Sequence, residues 1–356
     1  MNSTQDIASE IVDTSTHAPH TVCVVGTGSW GTAVAGLIAP HVDKVVMWSH
    51  SAEIAESITQ THKNNLYLTD YTLPDNVVAT LSMQEALADA AEIFFVVPSS
   101  FLRATARDVA QYRKPGTPSL VLTKGMEHQG AKTMTEVVAE ELGEPDLICA
   151  LSGPNHAEEV CKKKVAASVI AGKNPKIVER FQRLVLSPEF RIYVSDDLVG
   201  VEVCAAVKNV IAIAAGLAVG VGQGDNTLAV IMTRGLAEIG RIVSACGGDP
   251  LTCMGLAGMG DLVATCTSPH SRNRSFGVAL AQGTTLEEYE RSTKMIVEGA
   301  RAAKSVYAIA QDKHIEVPIT KTVHAILYEH LSLEDAFTIL LERKPHEEFY
   351  GFQRSL

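Results

Sequence analysis

No two of the seven cysteines stand at CxxC spacing; Cys23, Cys149, Cys161, Cys204, Cys246, Cys253 and Cys266 are scattered, mostly inside apolar runs. An odd, dispersed set argues against a disulfide framework and against a metal site, and is read as reduced core thiols. Positive charge is also scarce: 30 Lys and Arg against 41 Asp and Glu leave a formal net charge of -11. That balance excludes a protein built to coat nucleic acid or an anionic membrane, because both partners need a broad basic field. Any anionic ligand must be held by a few local cations. Residues 1–20 are polar, carry acids and lack the continuous apolar core of a secretory signal. They are expected to be a disordered lead-in, and the protein cytoplasmic. Internal repeats are absent too.

What is present is a chain of 356 residues, 46% hydrophobic and 20% charged, too long for one ordinary core and expected to form two domains. From Thr21 onward, short β-branched runs ("TVCVV", "KVVMW", "EIFFVV", "SLVLT") alternate with helical patterns. Such alternation predicts an α/β fold, a Rossmann-like doubly wound parallel sheet with helices on both faces. It continues through "LICALS", "AASVIAG" and "FRIYV", so residues 21–195 form the expected first domain. Beyond them only helical periods remain, near 197–217, 226–245, 275–282, 286–292, 298–313, 319–330 and 333–342. Residues 196–345 are therefore expected to form an all-helical second domain, followed by a tail, 346–356. Val199 to Gly222 approaches the length of a membrane span. Glu202 and Lys208 within it would each cost about 2.5 to 3.5 kcal/mol at a bilayer centre, so a buried helix is expected and no span.

"VVGTGSWG" sets Gly26, Gly28 and Gly31 in a GxGxxG pattern between a strand and a helix. The first glycine makes the tight turn, the second lets backbone approach a pyrophosphate, and the third allows close helix packing. About twenty residues on, an NAD enzyme carries an acid for the ribose 2′-hydroxyl; here Trp48, Ser49, His50 and Ser51 stand instead. With no carboxylate to repel a 2′-phosphate and His50 able to donate to one, NADP(H) is favoured. NAD(H) stays open, with Glu53 a turn later as the alternative acid. Three further strand ends, "FFVVPSSFL", "LVLTKGME" and "ALSGPNHAEE", bring polar and glycine residues, Lys124 among them, toward one cleft.

Lys208 sits in "EVCAAVKNVIAIAAG", where Cys204, Ala205, Ile211 and Ala212 leave little polar surface nearby. Either its stem snorkels to water, or desolvation lowers its pKa and makes it a proton donor and acceptor near neutral pH. "SPHSRNRSFG" groups Ser271, Arg272, Asn273 and Arg274 in one loop, read as a phosphate clamp or as a solvated, helix-capping turn.

In sequence order, "GTGSWGTA", "WSH", "VVPS", "TKG", "SGPN", "AVKNVIAI", "GLAGMGDL", "TSPHSRNRSFG" and "VEGARAAK" resemble the NAD(P)-dependent sn-glycerol-3-phosphate dehydrogenases of bacterial type. The resemblance runs from Thr21 to about Leu341. It implies reversible reduction of dihydroxyacetone phosphate to sn-glycerol 3-phosphate, feeding glycerophospholipid synthesis, and leaves a homodimer open. It also implies Lys208 as the catalytic proton donor and acceptor, with no metal, and Lys124, Gly153, Asp261, Ser271, Arg272 and Asn273 around the substrate. Ser29, Trp30, His50, Lys124, Ala157, Arg272, Ile296 and Glu298 match positions that touch the dinucleotide. Asn155 departs from the Thr or Ser of many relatives but keeps a hydrogen-bond donor toward substrate. Asp261 and Asn209 are expected to orient the Lys208 ammonium. Ketopantoate reductases and other β-hydroxyacid dehydrogenases share the glycine turn and a helical lysine, but their substrates lack the phosphate that the Arg272 loop fits.

Overall fold

The computed structural model describes residues 20–127, 132–293, 296–344, 347, 348, 350 and 351. The expected lead-in, apart from His20, and most of the expected tail lie outside these residues. Eight strands form one sheet: β1 (Thr21–Val25), β2 (Lys44–Trp48), β3 (Val77–Thr80), β4 (Ala90–Phe95), β5 (Ser119–Val121), β6 (Ile148–Ser152), β7 (Ala166–Gly172) and β8 (Phe190–Ser195). Their order is β3-β2-β1-β4-β5-β6-β7-β8. Sequence order reverses between β1 and β4, and in doubly wound sheets that switch point is where a ligand crevice opens.

Two features depart from the expected sheet. β7 runs antiparallel to β6, whereas all other pairs are parallel. A parallel return needs a crossover, usually a full helix; the segment between β6 and β7 holds only the one-turn helix Ala157–Val160. β3 was not expected at all. It is only four residues long, VVAT, and only Val77 is buried, so its apolar run is too short to stand out as a strand.

After β8 ends at Ser195, every described element is helical. The helix Leu198–Gly220 is the centre of that part, with the helices Asp225–Ala245, Asp261–Thr267, Arg272–Ala281 and Glu298–Asp312 packed around it. It is long and apolar enough to cross a membrane by length and composition, yet 83% of its most apolar window is buried inside the protein. Small residues let its neighbours close in. A Cβ on Gly216 would lie 2.1 Å from the Arg274 carbonyl oxygen, and one on Gly277 would lie 2.3 Å from that of Ile213. This contact seats the start of the helix Arg272–Ala281 beside Lys208 and Asn209. That helix begins three residues earlier than its apolar period predicts, because the Ser271 side chain caps it by accepting from the Arg274 N–H at 3.2 Å.

Candidate active site

The glycine turn joins β1 to the helix Ser29–Ile38. Gly26 adopts φ +123°, a conformation other residues rarely enter. A Cβ on Gly31 would fall 2.2 Å from the Gly26 carbonyl oxygen, whereas Gly28 has nothing within 4 Å of its absent side chain. Gly28 is also the N-cap of the helix and supplies no side-chain cap. The first helical N–H groups are thus left for an anion, and the residues present fit a dinucleotide pyrophosphate.

The turn opens on a cavity of about 650 Å³ at the carboxyl ends of β1, β4 and β5. Ser29, Trp30 and His50 line it on the β1–β2 side; Ala157, Ile296 and Glu298 line it further in. Glu53, the alternative acid, is not among its lining residues and instead accepts from Asn65 Nδ2 at 2.6 Å. Glu298 accepts from the Ser99 N–H at 3.1 Å and from the Ser99 hydroxyl at 2.5 Å. Burial pushes its carboxyl upward against those bonds.

Lys208 does not snorkel. It is 5% exposed, and its Nζ donates to Asp261 Oδ1 at 2.7 Å and to Thr265 Oγ1 at 2.6 Å. Asp261, 2% exposed, accepts with its other oxygen from Lys124 Nζ at 2.7 Å. One carboxylate therefore bridges two ammonium groups at the cavity floor. Desolvation pulls Lys208 down to about 8, with Asp261 opposing and the Lys124 charge assisting the shift. Burial alone would raise Asp261, but the Lys124 and Lys208 charges outweigh it and hold the carboxyl below its usual range.

Local structure explains how Asp261 reaches this place. The turn Leu256–Gly260 is π-helical, with the Gly260 N–H donating to the Gly255 carbonyl at 3.1 Å, and it hands the chain to the helix Asp261–Thr267 at the aspartate. Thr265 was missed by sequence reading. It stands four residues beyond Asp261 on that helix, hence on the same face, and its hydroxyl donates to the Asp261 carbonyl at 2.6 Å while accepting from Lys208.

One expectation is corrected. Asn209 does not orient the ammonium: its Oδ1 accepts from Asn273 Nδ2 at 2.9 Å and its Nδ2 donates to the Ala205 carbonyl at 3.2 Å. It follows Lys208 directly in the helix and so points about 100° away. Lys124 lines the cavity, and its Nζ is directed to protein acceptors. Besides Asp261 it donates to the Gly153 carbonyl and to Asn155 Oδ1, each at 3.2 Å, which occupies all three of its N–H bonds. Asn155 keeps one amide hydrogen after donating to Ser168 Oγ at 2.9 Å.

Ser271, Arg272 and Asn273 line the cavity opposite the glycine turn. Asn273 Oδ1 accepts from the Gly299 N–H at 2.9 Å, which fixes the amide beside Asn209. Among the described residues Arg272 makes no hydrogen bond or ion pair, its charge acting only at a distance on Glu298 and Tyr289, which leaves its guanidinium N–H groups available to an anion. Gly31, Gly153, Asp261 and the clamp candidate Arg274 do not line the cavity; the first three stand behind it, through packing or through Lys124 and Lys208.

Residues 21–178 match the family model described as NAD-dependent glycerol-3-phosphate dehydrogenase N-terminus, and residues 197–338 match that of its C-terminus. The chain belongs to the NAD-dependent glycerol-3-phosphate dehydrogenase family. It is 45% identical over 331 residues to the glycerol-3-phosphate dehydrogenase [NAD(P)+] of Streptomyces griseus subsp. griseus, covering 93% of this chain and 98% of that one. The crystal structure of glycerol-3-phosphate dehydrogenase from Coxiella burnetii superposes with a TM-score of 0.87 at 38% identity, over 91% of this chain and 99% of that one. The yeast enzyme of the same name gives 0.78 at 27% identity, over 91% and 100%. Membership of the glycerol-3-phosphate dehydrogenase family makes the chain an NAD(P)-dependent oxidoreductase, and sets aside the ketopantoate reductase alternative.

Proposed function

We propose that the chain reduces dihydroxyacetone phosphate reversibly to sn-glycerol 3-phosphate, for glycerophospholipid synthesis, with Lys208 as the proton donor and acceptor. The observation that carries this reading is the Lys208 ammonium, buried, held by Asp261 and Thr265, and lining the dinucleotide cavity. Bound NAD(P)H would supply the hydride that reaches C2 of the ketone. Negative charge then builds on the carbonyl oxygen, and Lys208 stabilises it and releases a proton to it. Asp261 and Thr265 hold the nitrogen in place, with Lys124 fixing the other side of the carboxylate. Arg272, assisted by Ser271 and Asn273, grips the phosphate and so positions C2. Residues 21–195 would bind the dinucleotide and 196–345 the substrate.

Purified protein should oxidise NADPH in the presence of dihydroxyacetone phosphate, and faster than NADH at equal concentration. His50→Glu should shift the ratio of kcat/KM toward NADH by about tenfold or more, since a carboxylate there repels a 2′-phosphate. An unchanged ratio would remove His50 from coenzyme choice. Arg272→Ala should raise KM for dihydroxyacetone phosphate by about tenfold or more, the loss of one charge-assisted pair; a KM like that of the wild type counts against the clamp.

A cytoplasmic homodimer belongs to the same proposal. Leu251, Met254 and Met259 stand 71%, 62% and 45% exposed on adjoining turns, an apolar surface that a second copy would cover. Light scattering at the mass of one chain would refute it.

A further inference from the structure

The connection between the helix Ala52–Thr61 and β3 is built more firmly than a surface loop requires. Its base is closed by an antiparallel bridge between Lys63 and Thr72 and by the Leu73 N–H, which donates to the His62 carbonyl at 2.7 Å. Asn64 is wholly buried and its bonding capacity is spent. Its Nδ2 donates to the Thr27 carbonyl at 2.8 Å and to Thr32 Oγ1 at 2.9 Å; its Oδ1 accepts from the N–H groups of Leu66 at 3.2 Å and Tyr67 at 3.0 Å. Thr27 stands between the first two glycines of the turn. Tyr71 makes a second anchor, its phenol oxygen 2.1 Å from where a Cβ on Gly36 would lie, on the helix that follows the turn. Leu68 is held at φ +54°, a conformation that persists only where surrounding contacts over-determine it.

These bonds deliver Tyr67. It is half-buried and lines the dinucleotide cavity, and its hydroxyl has no hydrogen-bond partner among the described residues. Two hydrogen bonds through one side chain tie its backbone to the glycine turn, so it enters the cavity beside the place where a pyrophosphate meets the helix N-terminus. We propose that Tyr67 is a dinucleotide-binding residue whose hydroxyl donates to the pyrophosphate, and that Asn64 is the positioning residue that holds it there. A purely structural Asn64 accounts for the loop, but not for the unpartnered phenol that the loop presents to the cavity.

The inference rests on a dinucleotide in this cavity, and a binding assay tests it apart from ketone reduction. Tyr67→Phe, which keeps the ring, should weaken NADPH and 2′-phospho-ADP-ribose about tenfold by fluorescence or calorimetric titration, as loss of a hydrogen bond to a charged group predicts. Adenosine 2′-monophosphate, which lacks the pyrophosphate, should bind Tyr67→Phe and wild type alike. Asn64→Ala should also weaken NADPH about tenfold or more, and adding Tyr67→Phe to it should cost nothing further. Should Asn64→Ala not fold, Asn64→Asp keeps the acceptor to the loop while removing both donors to the turn, and serves in the same cycle. Unchanged NADPH binding by Tyr67→Phe, or an equal loss for all three ligands, overturns the assignment of Tyr67. Full additivity of the two substitutions overturns that of Asn64. NADPH binding without ketone reduction would refute the proposed reaction and leave this inference standing.

Discussion

Lys208→Ala lowers kcat for dihydroxyacetone phosphate reduction by about 10⁴-fold, while NADPH binding stays close to that of the wild type. The size follows from two roles in one group: proton transfer accounts for about 10²- to 10⁴-fold, and stabilisation of the oxyanion in a dry site adds to it. The substitution should be tolerated structurally, because Asp261 retains Lys124 at 2.7 Å and is not left as an isolated buried charge. In the unsubstituted protein the same nitrogen should set the pH profile. Its pKa lies at about 8, pulled down by burial, so the ammonium form needed for reduction is present below that pH and is lost above it. Reduction measured as kcat/KM should fall as pH rises through about 8, and oxidation of glycerol 3-phosphate should rise through the same range. Wild-type-like turnover by Lys208→Ala, or a profile with no step near pH 8, removes Lys208 from the chemistry.

Asp261→Asn has the second largest expected effect, and it acts on both stability and rate. The carboxylate is the shared counter-ion of Lys208 and Lys124, and removing one member of a buried ion pair typically costs about 3–5 kcal/mol. Deprotonating a lysine relieves part of that cost. Since Asp261 opposes the downward shift of Lys208, its loss should move the alkaline limb of the reduction profile below pH 8 and lower kcat near neutrality by about 10²-fold or more. Chemical denaturation reads the first effect and the pH profile the second. A variant that loses stability but keeps the limb near pH 8 would confine Asp261 to a structural role.

The proposed chemistry and the fold were legible in the sequence to different depths. The glycine spacing announced a dinucleotide turn because its demands are local: a positive φ at Gly26, open backbone at Gly28, and close packing at Gly31, all within six residues of chain. A lysine within an apolar helix signalled a cleft for the same reason, since burial of the neighbours is written beside it. The direction of β7 was less accessible, as it depends on a crossover helix and the thirteen residues after β6 form only one helical turn.

Chain order alone determined the class of fold, the glycine turn, the lack of an acid after β2, and Lys208 and the Arg272 loop as the groups to watch. Only the tertiary structure decided their pairings. It put Asp261 between two lysines, brought Thr265 to Lys208, turned Asn209 toward Asn273, and gave Arg272 no hydrogen-bond or ion-pair partner among the described residues. The physical reason is reach: backbone conformation and burial are set by residues a few positions away, whereas the partner of a charge is whichever opposite group packing brings within 3 Å. Lys208 and Asp261 are 53 positions apart, and Lys124 and Asp261 are 137 apart, so no local pattern could have joined them.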